Sequence, residues 1–144
     1  MSSTVQLADT NVLSELFKPD PDPRVVAWAE GIPLICVSVI SVEEFGYGLA
    51  WKPSPRIREA LEEFLDAFCE LLTVTEEIAR DAGRLRGEFQ RRGISNSQAD
   101  MLIAATANAH KLTLVTRNVG HFEGCGIPLL NPFKFEAGSR PATP

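Results

Sequence analysis

Nowhere does the sequence stay apolar for the roughly eighteen residues of a membrane span. Its amino terminus also lacks the basic segment and apolar stretch of a secretory signal. A cytoplasmic protein is expected. Cysteine is scarce: Cys36, Cys69 and Cys125 are odd in number, far apart and mostly beside apolar residues. That excludes a disulfide framework and a zinc knuckle and leaves them as reduced packing residues. Positive charge is also short, with 14 Lys and Arg against 19 Asp and Glu and a net charge of −5. Broad electrostatic attraction to nucleic acid is thereby excluded, so any contact with a polyanion has to be local or helped by a cation. Repeats and internal linkers are absent. What is present, 144 residues of which 44% are hydrophobic, suffices for one continuous core.

A single domain over residues 1–135 is expected, with 136–144, EAGSRPATP, as a mobile tail of little apolar content. A strand is predicted over residues 5–8 and a helix over 10–17, ended by the proline-punctuated KPDPDPR. A short helix over 25–30 follows. PLICVSV is a second buried strand, after which Ser38 or Ser41 caps a helix reaching Trp51. Ile57, Leu61, Phe64, Leu65 and Phe68 recur at helical spacing over 56–68, leaving Glu59, Glu62, Glu63 and Asp66 on a solvated face. LLTV reads as a third strand, Thr75 as the cap of a long helix reaching Arg92, and ADMLIAATANAH as a helix of small residues. LTLVT is a fourth strand and IPLL a short last one. Apolar strands alternating with helices imply an α/β fold, a mostly parallel sheet covered on both faces.

In such a fold, strand ends and the starts of the following helices share the carboxyl edge of the sheet, where ligands bind. Asp9 ends the first strand, Glu43 and Glu44 lie early in the helix after the second, and Asp100 sits in the first turn of the alanine-rich helix. Thr116 to Asn118 follow the fourth strand and add a hydroxyl and an amide. Each has a purely structural reading: Asp9 as an N-cap, Asp100 as a partner of a helix macrodipole, Asn118 as a turn residue. Their convergence on one edge favours a site. The helical pattern does not choose between Glu43 and Glu44, because apolar residues surround this helix on nearly every side.

Two carboxylates about 4 Å apart repel by about 4 kcal/mol at an effective dielectric near 20, so a cluster of three calls for protonation or a cation. Oxygen donors without a matching histidine or cysteine set favour magnesium or manganese over zinc. Such an ion binds a phosphodiester oxygen and activates a water.

Four pieces occur in order over almost the whole chain apart from the tail: LADTNVLSEL (7–16), SVISVEEFGYGL (38–49), ADMLIAATA (99–107) and LVTRNVGHFEGCGIPLLNP (114–132). Together they resemble the PIN-domain nucleases, most closely the VapC and FitB type of bacterial toxin from type II toxin–antitoxin systems. The resemblance implies a three-layer α/β sandwich and an endoribonuclease dependent on Mg2+ or Mn2+. It implies that Asp9, Glu44 and Asp100 hold the metal, with Glu43 in the preceding, non-catalytic place. Some members carry a fourth aspartate where this chain has Asn118, and some a further acid where it has His121, which speaks against a second metal. Asn118 is expected to join the catalytic set without adding charge, with Thr10, Thr116 and Arg117 in support; Arg117 suits a phosphate contact or a salt bridge to a neighbouring acid.

Similar toxins form dimers and are inhibited by a cognate VapB/FitA-like antitoxin whose carboxy-terminal segment covers the cleft. Phe17, Trp28, Tyr47 and Trp51 either line such a groove or belong to the core. Arg80, Arg84, Arg86, Arg91 and Arg92 are expected on a solvated face. Competing readings are a phosphotransferase with a nucleophilic aspartate, which needs a second acid where Asn11 stands, a receiver-like phospho-acceptor, and a catalytically weak module that binds RNA or a partner.

Overall fold

The computed structural model describes residues 5–136, so the expected tail, apart from Glu136, lies outside the described residues. Five short strands form one sheet: β1 (Gln6–Ala8), β2 (Ile35–Ser38), β3 (Cys69–Leu72), β4 (Thr113–Val115) and β5 (Leu129–Leu130). Their spatial order is β3-β2-β1-β4-β5, and every pairing is parallel. Alternation of side chains along a strand sends Leu7, Cys36, Leu114 and Leu129 to one face and Ala8, Ile35, Val37, Val115 and Leu130 to the other. Each set anchors its own core.

On the first face lie α5 (Glu76–Arg91) and α6 (Gln98–Ala109), packing Ile78, Leu85, Phe89, Met101 and Ile103 against the strands. The fully buried Ala104, Ala105 and Ala107 bring α6 close to its neighbours. On the second face α1 (Thr10–Leu16), α2 (Pro23–Glu30) and α4 (Pro55–Phe68) contribute Val12, Leu13, Val25, Trp28 and Phe64. Two further helices, α3 (Val39–Trp51) and the single turn α7 (Val119–Phe122), follow β2 and β4. The architecture is the parallel sheet covered on both faces that the alternating pattern predicts, and the three-layer α/β sandwich that the resemblance implies.

Helix starts coincide with side chains able to accept a hydrogen bond from the first free backbone N–H groups. Asp22, Ser38, Ser54, Thr75 and Ser97 cap α2 to α6 in this way. The third strand departs from expectation. LLTV was the predicted segment, yet β3 begins two residues earlier, because register with β2 pairs Ile35 with Cys69 and Ser38 with Leu72. Thr73 and Val74 instead leave the sheet to reach the Thr75 cap. This edge strand exposes Glu70 and Leu71, so apolar content marks it poorly.

The cysteines are free, and burial pushes the thiols of Cys69 and Cys125 up to about 12 and about 11. They stay protonated and inert at neutral pH. On α5, Arg80 pairs with Glu76, and Arg84 with Asp81 and Glu88, along the expected solvated face. Among the described residues no helix is long and apolar enough to cross a membrane.

One buried charge secures the turn between α1 and α2. Glu15 accepts from the backbone N–H of Asp22 at 2.8 Å and from Lys18 Nζ at 2.9 Å. The Lys18 and Asp22 bonds hold its carboxyl below the ordinary 4.5. A carboxyl with a lowered folded pKa adds stability above its unfolded value and loses it as pH falls through the folded one. Glu15→Ala strands the Asp22 N–H and is expected to cost about 1–2 kcal/mol by urea denaturation at pH 7. The gap from wild type should shrink as the pH is lowered below 4.5.

Candidate metal-dependent active site

From β1 the chain steps outward to β2 and β3, then returns to the opposite side of β1 for β4 and β5. The order therefore reverses between β1 and β4, and a crevice opens outside their carboxyl ends. Asp9 lies in it. Its backbone N–H donates to the Val115 carbonyl at 2.8 Å, carrying the β1–β4 pairing one residue past the strand. Its Oδ1 accepts from the Thr10 N–H at 2.8 Å, the N-cap bond of α1. Its Oδ2 accepts from the Thr116 hydroxyl at 2.8 Å and from Asn11 Nδ2 at 3.1 Å. Capping thus occupies one oxygen, while Thr116 and Asn11 hold the other.

Asp9 is only 4% exposed. Burial raises its pKa above the usual carboxylate value; bonds from Thr116 and Thr10 oppose the rise, and the charges of Asp100 and Glu44 add to it. Both acids are therefore near enough to act on Asp9, and no lysine or arginine is among the influences on it.

Glu44 is positioned through α1. The Thr10 hydroxyl donates to Glu44 Oε1 at 2.6 Å, which commits its single proton. The 2.7 Å contact between Thr10 and the buried Ser41 then has Ser41 as donor. A chain of hydroxyls, Ser41 to Thr10 to Glu44, sets the glutamate, while Glu43 is exposed. Of the two glutamates that helical spacing leaves equivalent, Glu44 is the one held by a side chain 34 residues away.

Asp100, half-buried in the first turn of α6, has its N–H capped by Ser97 at 3.0 Å, and its Oδ2 lies 3.8 Å from His121 Nδ1. Thr116 also accepts from the Asn118 N–H at 3.0 Å, which turns the chain into α7. The Asn118 side chain is exposed and makes no cap bond. Arg117 turns outward. Its N–H donates to Asn11 Oδ1, and its guanidinium lies 4.4 Å from the centre of the Phe133 ring, not in a salt bridge to one of the acids. Trp28 belongs to the core, where its indole donates to Gln6 at 2.7 Å; Phe17 lines an apolar groove, and Tyr47 and Trp51 are exposed.

Two participants escaped the sequence reading. Ser41 was a candidate cap, although its place three residues before Glu44 puts both on one helix face. Asn11, noted only as a missing acid, joins Asp9 Oδ2 to the loop after β4.

Among the described residues no three His, Cys, Asp or Glu side chains are grouped as the direct ligands of one ion. The set that faces the crevice, carboxylates with hydroxyls and an amide, is one of hard oxygen donors. It fits an Mg2+-like ion that keeps part of its water shell, and not the closed nitrogen and sulfur shell of structural zinc.

Residues 7–123 match the PIN domain family, to which the chain therefore belongs. It is 35% identical over 134 residues to the VapC ribonuclease Y4jK of Sinorhizobium fredii, covering 88% of this chain and 96% of that one. It is 33% identical over 135 residues to toxin FitB of Neisseria gonorrhoeae, covering 88% and 97%. A toxin-antitoxin complex from Klebsiella pneumoniae contains a chain that superposes with a TM-score of 0.68 at 28% identity, covering 90% of this chain and 99% of that one.

Because the folded pKa of Asp9 is raised, its ionised form withdraws stability as pH climbs from 3.8 through the folded value. A cation that favours the ionised form returns it. Mg2+ or Mn2+ at a hundred times its dissociation constant is expected to add about 2.7 kcal/mol at neutral pH, read as a rise in melting temperature. Asp9→Asn should lose that response, and an undiminished response in the variant would remove Asp9 from the metal site.

Proposed function

We propose that this chain is a metal-dependent endoribonuclease toxin, inhibited by a VapB/FitA-like antitoxin with which it forms a hetero-oligomer. The observation that carries the reading is Asp9: a buried carboxylate at the switch point of the sheet, disfavoured in its charged form by burial and by two neighbouring carboxylates. The ribonuclease and toxin relatives support it, as does the toxin-antitoxin complex among similar structures.

Asp9, Glu44 and Asp100 would hold a Mg2+ or Mn2+ ion, which when bound supplies Lewis-acid assistance and an activated water. The remaining groups orient. Thr116, Asn11 and the Thr10 N–H fix both oxygens of Asp9, and Ser41 and Thr10 fix Glu44. Asn118, at the rim after β4, can orient a water or a phosphate oxygen without adding to the repulsion. Water attack at phosphorus with loss of the 3′ oxygen leaves a 5′-phosphate and a 3′-hydroxyl. The antitoxin segment would use the apolar groove of about 430 Å3 between α1, α2 and α4, lined by Leu16, Phe17, Val26, Phe64 and Phe68.

Asp9→Asn, Glu44→Gln and Asp100→Asn are each expected to lower the cleavage rate of single-stranded RNA by at least about a hundredfold, about 2.7 kcal/mol of transition-state stabilisation, while circular dichroism remains unchanged. Glu43→Gln should cleave at the wild-type rate. Full activity in the Asp9 and Asp100 variants would end the nuclease reading. RNA binding with neither metal affinity nor product would leave a binding module.

A further inference from the structure

The helix that carries Glu44 leads from the acidic crevice to an exposed aromatic pair. Tyr47 and Trp51, one helical turn apart on α3, are 65% and 67% exposed. Their ring centres are 6.1 Å apart with planes inclined at 40°, a tilted pair and not a face-to-face stack. Lys52 Nζ stands 4.7 Å from the centre of the Trp51 ring. Glu44, Gly48 and Lys52, at successive fourth positions, line one cleft of about 340 Å3 together with Thr10 and Lys18. The cleft thus runs about 12 Å along the helix from the acids to the lysine. Lys18 is engaged by Glu15, whereas Lys52 lies against the indole.

Gly46 and Gly48 flank Tyr47 inside a helix, where glycine is unfavourable. Among the described residues, apart from the chain neighbours and the helix's own backbone, no atom lies within 4 Å of a Cβ built at either. Internal packing therefore does not call for glycine there. An open helix surface beside two aromatic rings suits an external ligand.

We propose that Tyr47, Trp51 and Lys52 form a nucleobase-stacking subsite for single-stranded RNA, which positions the strand over the acidic crevice. This rests on the nuclease reading. A chain with net charge −5 needs local contacts to hold a polyanion, and aromatic rings provide them, since every base has a π-face. The Lys52 ammonium beside the indole meets the phosphate of a stacked nucleotide. Covering the same surface with protein would bury that ammonium away from water, and interface cores are depleted in lysine.

The test separates binding from cleavage. In EDTA, a single-stranded oligoadenylate is titrated into the full chain and tryptophan fluorescence is followed. Trp28 is 1% exposed, so quenching reports Trp51, and it should vanish in Trp51→Phe. Affinity measured by anisotropy of a labelled oligoadenylate should fall about tenfold in Trp51→Ala and in Tyr47→Ala, stay near wild type in Trp51→Phe, and be weak for an abasic strand of equal length. With metal present, Trp51→Ala should raise KM by a similar factor at constant kcat. Unchanged affinity in Trp51→Ala, or absence of Trp51 quenching, overturns the subsite. Conversion of a dimer to a monomer by Trp51→Ala at unchanged RNA affinity also overturns it and makes this face a protein interface. Quenching and the affinity loss without cleavage by wild type would uphold the subsite and sink the nuclease reading; cleavage indifferent to Trp51 would do the reverse.

Discussion

The hydrogen bond from the Thr116 hydroxyl to the Asp9 carboxylate spans the place where the sheet reverses its order, and the acidic crevice depends on it. It joins the ends of β1 and β4 and seats a carboxylate that burial and two like charges push toward neutrality. An ionised group in such surroundings has to be compensated. Three donors from protein, Thr10 N–H, Asn11 and Thr116, compensate in part. The remainder leaves the charged form disfavoured, a balance that protonation or a cation would restore.

The surrounding polar groups form two small supports. One is the chain of hydroxyls from Ser41 through Thr10 to Glu44, which couples α3 to α1. The other is Asn11, whose amide gives to Asp9 while its carbonyl accepts from the backbone of Arg117. Both rest on α1, whose cap is Asp9 itself. The cap of α1 and the carboxylate that Thr116 seats across the sheet are the same residue, with the bonds divided between its two oxygens.

Much of this was legible in the sequence because the local signals agree. Apolar runs ending in Asp9, Ser38 and Thr116 mark strands followed by turns or caps, and the alternation of strand and helix places those ends on one edge. Legibility failed where geometry depends on distant partners. Glu43 and Glu44 are equivalent to a helical wheel; the resemblance implied Glu44, and in the structure it is Glu44 that Thr10, from another element, holds. The edge strand β3 follows the register of β2 more than its own apolar content. Arg117, adjacent in sequence to Thr116, turns onto Phe133 because its backbone and not its side chain is held by Asn11.

The central position of β1 has a bearing on synthesis. Asp9 leaves the ribosome 107 residues ahead of the hydroxyl that seats it, and β1 has only β2 beside it until β4 emerges. Contacts of such sequence separation form late, since loop closure has to precede them. A nascent chain halted before β4 already holds Asp9, Glu44 and Asp100, yet lacks the floor that draws Asp9 into place. The geometry of the crevice thus waits on the pairing of β4 beside β1, an order of events that strand arrangement alone imposes.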